Sequence, residues 1–153
     1  MIRAVLGANI VASGVLGFDR DESPPGTILR AWFRRTFELI TSDALLLEIE
    51  HTLDDGYFAP RVDARIALLT LMAVRHDATR TAITATVVGV ATHPEDDLVL
   101  AAAVSAAADY LVTGDKQLLR LGSFRGVLIV SPRGFLALLA KRTDDDAEVS
   151  ETQ

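Results

Sequence analysis

The sequence predicts an α/β fold with a central, mostly parallel sheet, and three observations carry that prediction. Short, wholly apolar runs such as Ile2 to Leu6 and Val127 to Val130 recur with helical stretches between them, as expected of strands buried on both faces and joined by helical crossovers. His93 to Asp115 joins an Ala-rich helix to an apolar strand, which is half of one such crossover. Acids fall at the predicted strand ends and helix starts, and ligands of open α/β sheets gather at the carboxyl edge of the strands.

The chain's 153 residues, 50% hydrophobic and 24% charged, suit one globular domain with a sizeable core. No apolar run reaches the length of a membrane span. The opening MIRAVLGANIVASGVLGFDRDES lacks a convincing cleavage site, and Asn9 interrupts its apolar stretch, which argues against export. The absence of Cys rules out disulfides, thiolate metal sites and cysteine nucleophiles, and is compatible with the cytoplasm. Three His make a zinc site a poor bet. Of the formal charge of −6, five acids lie in Thr143 to Gln153 with no basic residue among them. That tail is read as disordered, following a domain over residues 1–142. The nearly neutral body neither requires nor excludes a nucleic-acid partner.

Ile2 to Leu6 is the first strand, and Asn9 is placed to cap a helix through Ile10, Val11 and Val15, stopping at Gly14 or Gly17. Phe18 to Gly26 reads as a loop, and Ile28, Ala31 and Trp32 give Thr27 to Arg35 helical spacing. Phe37 to Thr41 is the second strand. Ser42 or Asp43 caps a helix through Leu53 that turns Leu45, Leu46, Ile49 and Leu53 inward. After a break at Asp54 to Pro60, a helix from Arg61 to about Arg75 completes an αα-hairpin, with Ile66, Leu69, Leu71 and Met72 as its buried side. The β-branched residues of Thr81 to Val90 predict a third strand. Asp96 and Asp97 begin a helix that runs through Ala108, and Asp109 to Thr113 is the next strand, ended by Gly114. Lys116 to Leu121 is a helical turn, Val127 to Val130 the last strand, and Ser131-Pro132 opens a helix through Leu139.

The pattern places Glu48, Asp96, Asp97 and Asp115 near one sheet edge, where carboxylates could hold a metal. Each has a plainer reading beside that one. Glu48 could be a solvated helix residue, Asp96 an N-cap, and Asp115 a cap for Lys116 to Leu121. Asp97 is a poor stand-in for Asp96, because successive helical side chains point roughly 100° apart. His51, His76 and His93 read as exposed or loop residues, and Trp32 as a buried residue beside the exposed Arg34 and Arg35. Gly7 to Gly14 lacks the spacing of a dinucleotide fingerprint, and no G-x-x-x-x-G-K-[ST] occurs.

Four segments in this order, MIRAVLGANIVASGVL, TSDALLLEIEHTL, HPEDDLVLAAAVSAAADYLVTGD and LIVSPRGFLALL, resemble the PIN-domain superfamily, specifically the VapC-like toxin components of toxin-antitoxin pairs. The resemblance covers Met1 to about Leu139. It implies a PIN-like three-layer α/β/α sandwich, a Mg²⁺- or Mn²⁺-dependent ribonuclease activity on RNA, a cognate antitoxin and a homodimer. The dimer's candidate surface is the hairpin region around Leu45 to Met72. Residue by residue, the resemblance makes Glu48, Asp96 and Asp115 the catalytic and metal-binding acids. Asn9 and Thr113 match the supporting polar residues, and Asp97 is grouped with them. Where the family has Asp followed by Thr or Ser and then Asn, this chain reads Gly7-Ala8-Asn9. The first acid is absent, so Gly7 is a degenerate position and weakened activity is expected. The alternative function is a catalytically impaired domain that binds RNA or an antitoxin.

Overall fold

Four largely apolar runs pair in parallel, as suits strands covered by helices, although Leu128 of the last of them is exposed. They are β1 (Arg3–Leu6), β2 (Glu38–Thr41), β4 (Tyr110–Val112) and β6 (Val127–Val130). With β3 (Thr79–Arg80) and β5 (Ser123–Phe124) they form one six-stranded sheet in the order β3-β2-β1-β4-β6-β5. Only the β5–β6 pairing is antiparallel. Val5 lies opposite Ile40 on one side and Leu111 on the other, and all three are fully buried. The computed structural model describes residues 1–151 of the chain.

Helices flank the sheet to make a three-layer α/β/α sandwich: α1 (Ala8–Leu16), α2 (Pro24–Phe33), α3 (Asp43–Leu53), α4 (Ala64–Asp77), α5 (Pro94–Ser105), α6 (Lys116–Leu121) and α7 (Pro132–Glu151). Their starts follow side-chain capping. Ser23, Ser42 and Asp63 accept backbone N–H bonds from Gly26, Leu45, and Arg65 and Ile66 respectively, which satisfies donors the first helical turn leaves free. Phe135 of α7 meets Phe37 edge-to-face at 5.1 Å between ring centres, and burying such a ring is worth about 2–3 kcal/mol. Where α1 meets α2 the backbones touch, and a Cβ on Gly26 would overlap the carbonyl oxygen of Gly17.

Several expectations are corrected. Thr81 to Val90 is not a strand: β3 stops at Arg80, and the last ladder bond runs from the Thr81 N–H to the Thr41 carbonyl. Beyond it β2 has ended, so 81–90 has no neighbour to pair with. Asn9 does not cap α1, because the helix already starts at Ala8 with Gly7 in the N-cap position. Helix α2 begins at Pro24, inside the predicted loop, since Ser23 caps it and Pro suits a first turn. Helix α4 begins at Ala64 rather than Arg61, set by its Asp63 cap. Leu69 and Met72 are exposed, and Thr70 and Val74 are buried in their place. Helix α5 ends at Ser105, and the two-residue β5 was not expected. With no Gly or Pro after Gly134, α7 continues to Glu151 across most of the segment expected to be disordered. Thr152 and Gln153 lie outside the described residues.

Candidate active site

The carboxyl ends of β1 and β4 bring Gly7 and Thr113 side by side, and the Gly7 N–H donates to the Val112 carbonyl at 3.1 Å. Helix α3 supplies Glu48 and the first turn of α5 supplies Asp96. Together with Asn9, Asp115, His93 and Lys116 these residues line one cavity of about 620 Å³. Gly7, Glu48, Asp96 and Asp115 therefore share a pocket. A smaller cavity of about 430 Å³ sits at the opposite edge of the sheet, where Asp109 and Asp145 lie beside Lys141 and Arg142.

Asp115 is both a cap and a wall of this pocket. Its Oδ1 accepts from the Leu118 N–H at 3.0 Å and from the Thr92 hydroxyl at 3.1 Å, and its Oδ2 accepts from the Thr92 N–H at 3.1 Å. Its own N–H donates to the Thr113 hydroxyl at 3.1 Å, and Thr113 is buried. Burial would raise the Asp115 pKa, but the bonds from Leu118 and Thr92 outweigh it and hold the carboxyl below its ordinary range.

Asp96 is not the cap of α5, a position held by His93; it is the third residue of the helix. Half-buried in the pocket, its carboxyl is pushed up to about 6 by burial first and then by the negative charges of Asp115 and Glu95. Asp97 turns away from the cavity. Its buried carboxylate accepts from the backbone N–H groups of Gly89 at 2.9 Å, Val90 at 3.0 Å and Ala91 at 2.7 Å. Glu48 is half-buried and Asn9 exposed on the cavity wall. His51 and His76 are exposed and lie outside the lining, whereas His93, also exposed, belongs to it.

Among the described residues, no three His, Asp or Glu side chains gather closely enough to hold an ion. Asp96 and Asp115 are near enough for the charge of Asp115 to push the Asp96 carboxyl up. The carboxylates of Asp96 and Asp115, with His93 and Lys116 beside them on the wall, offer the oxygen donors that suit a hard divalent cation keeping most of its water, since such ions are often held by one or two carboxylates. Such an ion would be loosely held and hydrated, and Glu48 lines the same cavity.

Thr92 escaped the sequence reading because it sat just past a supposed strand. A Thr two residues before a Pro that opens a helix was the available signal. Gln117, whose Nε2 donates to the Val90 carbonyl at 2.8 Å, carried no signal beyond its place in a short helix.

Comparison with curated proteins gives no match. Among solved structures, a chain from the crystal structure of VapBC2 from Rickettsia felis bound to a DNA fragment from their promoter superposes with a TM-score of 0.51. It is 14% identical, and the match covers 85% of this chain and 98% of that one. At that identity the likeness is one of fold. The PIN domain model matches residues 3–117, most of the chain and all four pocket positions from Gly7 to Asp115. The sheet order, the acids at its carboxyl edge and this match agree: the chain belongs to the PIN-domain family.

Proposed function

We propose that the chain is a PIN-type endoribonuclease, the toxin component of a toxin-antitoxin pair, using Mg²⁺ or Mn²⁺ and weakened by Gly7. The observation that carries this reading is the convergence of Glu48, Asp96 and Asp115 with Gly7 on one cavity. Asp96 and Asp115 would hold the ion, with Glu48 contributing through water. A divalent ion there would supply an activated water and neutralise the leaving oxygen of a phosphodiester. The chain itself contributes Lys116 at the pocket wall, whose ammonium can meet a phosphate oxygen. It also contributes the clasp of Thr92 on Asp115, which keeps that carboxylate ionised and oriented.

A second reading, an impaired domain that binds RNA or an antitoxin, is favoured by one observation. Both Asp115 oxygens already accept protein hydrogen bonds, and among the described residues no third acid lies close enough to Asp96 and Asp115 to complete an ion site. An antitoxin partner draws support from the VapBC2 likeness, and an RNA-directed role implies work in the cytoplasm. Among the described residues no helix is long and apolar enough to cross a membrane. A homodimer is supported by Leu47, Leu68, Leu69 and Met72, all exposed on α3 and α4.

The test is cleavage of single-stranded RNA with Mn²⁺ or Mg²⁺ by this protein, its Gly7→Asp form and Asp115→Asn forms of both. Weak cleavage that Gly7→Asp raises and Asp115→Asn abolishes is expected. No cleavage by any form, with RNA or antitoxin binding intact, would establish the second reading.

A further inference from the structure

We infer that Asp97 is a positioning residue for Asp115: it pins the backbone of Gly89 to Ala91 so that the next residue, Thr92, holds both oxygens of the Asp115 carboxylate. This rests on the proposed site and concerns how that site keeps its shape. Residues 81–92 have no sheet partner beyond Thr81 and are held instead by side chains. The Ser105 hydroxyl accepts from the N–H groups of Thr84 and Ala85 at 2.9 and 3.0 Å. Arg125 donates to the Thr86 carbonyl, and Gln117 to that of Val90. At the end of the segment nearest the pocket the anchor is Asp97, 7% exposed. A carboxylate this buried is costly unless hydrogen-bonded, and three backbone N–H groups meet it.

The consequence passes along the chain. Gly89 has φ +71°, so the segment bends there and wraps its next two N–H groups onto the same carboxylate. That fixes the direction in which Thr92 leaves, and Thr92 then reaches Asp115 with its N–H and its hydroxyl. Asp96 and Asp97 thus divide the work by helical geometry: one faces the cavity, and its neighbour, roughly 100° around the helix, sets the loop that holds the opposing acid. Outer partners that orient metal-site carboxylates commonly change metal affinity by roughly 10- to 100-fold when removed.

The test uses the full chain, isotopically labelled. In the unmodified protein, through-hydrogen-bond NMR couplings should join the amides of Gly89, Val90 and Ala91 to the Asp97 carboxylate, and that of Thr92 to Asp115. The Asp115 χ1 angle should be a single rotamer there and in Thr92→Ser, and averaged in both Asp97→Asn and Thr92→Val. The double variant Asp97→Asn with Thr92→Val should be no worse than either alone. Mn²⁺ affinity should fall roughly tenfold in both single variants. A fixed Asp115 rotamer in a folded Asp97→Asn protein, with Thr92→Val averaged, would overturn the inference. Missing couplings to Asp97 would overturn it too, and they decide the matter if Asp97→Asn does not fold. Absence of Mn²⁺ binding in every form, Gly7→Asp included, would remove the nuclease reading, and the rotamer comparison would still decide the positioning role.

Discussion

The N–H of Gly7 bonds to the carbonyl of Val112, and a Cβ built on Gly7 would lie 3.6 Å from that same oxygen, an ordinary contact. Gly7 has φ −61° and ψ 155°, a conformation open to any residue, in the N-cap position of α1. Asp is a preferred residue there and Gly is worse by a few tenths of a kcal/mol. Gly7→Asp should therefore fold with a stability within about 0.5 kcal/mol of the parent. RNA cleavage should rise by between roughly 10- and 100-fold, and Mn²⁺ should raise its Tm more than the parent's. Equal cleavage by both forms would mean that the missing acid is not limiting.

Asp96→Asn should make stability less dependent on pH. The Asp96 carboxyl is raised from 3.8 to about 6, so between those values the folded state binds more protons and loses stability as pH rises. The penalty is complete above about pH 6 and absent below about pH 4. Removing the charge should add about 1 kcal/mol at pH 8, after allowance for solvent screening. That is roughly 2–4 °C in Tm for a chain of this size, with no gain at pH 3.5. The same gain at both pH values would show that the charge is not its source.

Gly26→Ala should cost about 3 kcal/mol, because the new methyl meets the backbone carbonyl of Gly17, which cannot rotate aside. Gly56→Ala, with nothing within 4 Å of the new atom, should change stability by less than about 0.5 kcal/mol. Urea unfolding of the two variants makes the comparison. Similar midpoints would show that α1 and α2 can separate at little cost.

Leu69 and Met72 are 56% and 49% exposed, so Leu69→Glu with Met72→Glu should leave the circular dichroism spectrum unchanged. If the proposed homodimer uses this face, the double variant should halve the mass found by light scattering. A parent protein that is already monomeric at micromolar concentration would remove the pairing.

The parallel strands were legible because burial on both faces leaves continuous apolar runs, and β6 matches its predicted span from Val127 to Val130. Thr81 to Val90 misled because its β-branched residues report a preference for extended backbone, while strand pairing depends on a neighbour, and β2 ends at Thr41. Leu69 and Met72 misled because α4 also carries Ile66, Leu68 and Leu71. A helix apolar on most sides does not reveal which stripe faces inward. Asp96 and Asp115 stand at a helix start and just past a strand end, where the pattern alone picks them out, whereas Glu48 lies in the middle of α3 and is singled out only by the family resemblance. The turning of Asp97 towards Gly89 to Ala91 was not legible, since it depends on where an irregular loop settles.

Both rims of the sheet are two-residue strands, Thr79–Arg80 at one side and the antiparallel Ser123–Phe124 at the other. A long, flat, unpaired rim is a template on which other chains can polymerise, and very short rim strands remove it. The four longer strands are all interior to the sheet. Fibril growth on the native protein should therefore be suppressed, with thioflavin fluorescence flat until the fold itself is melted.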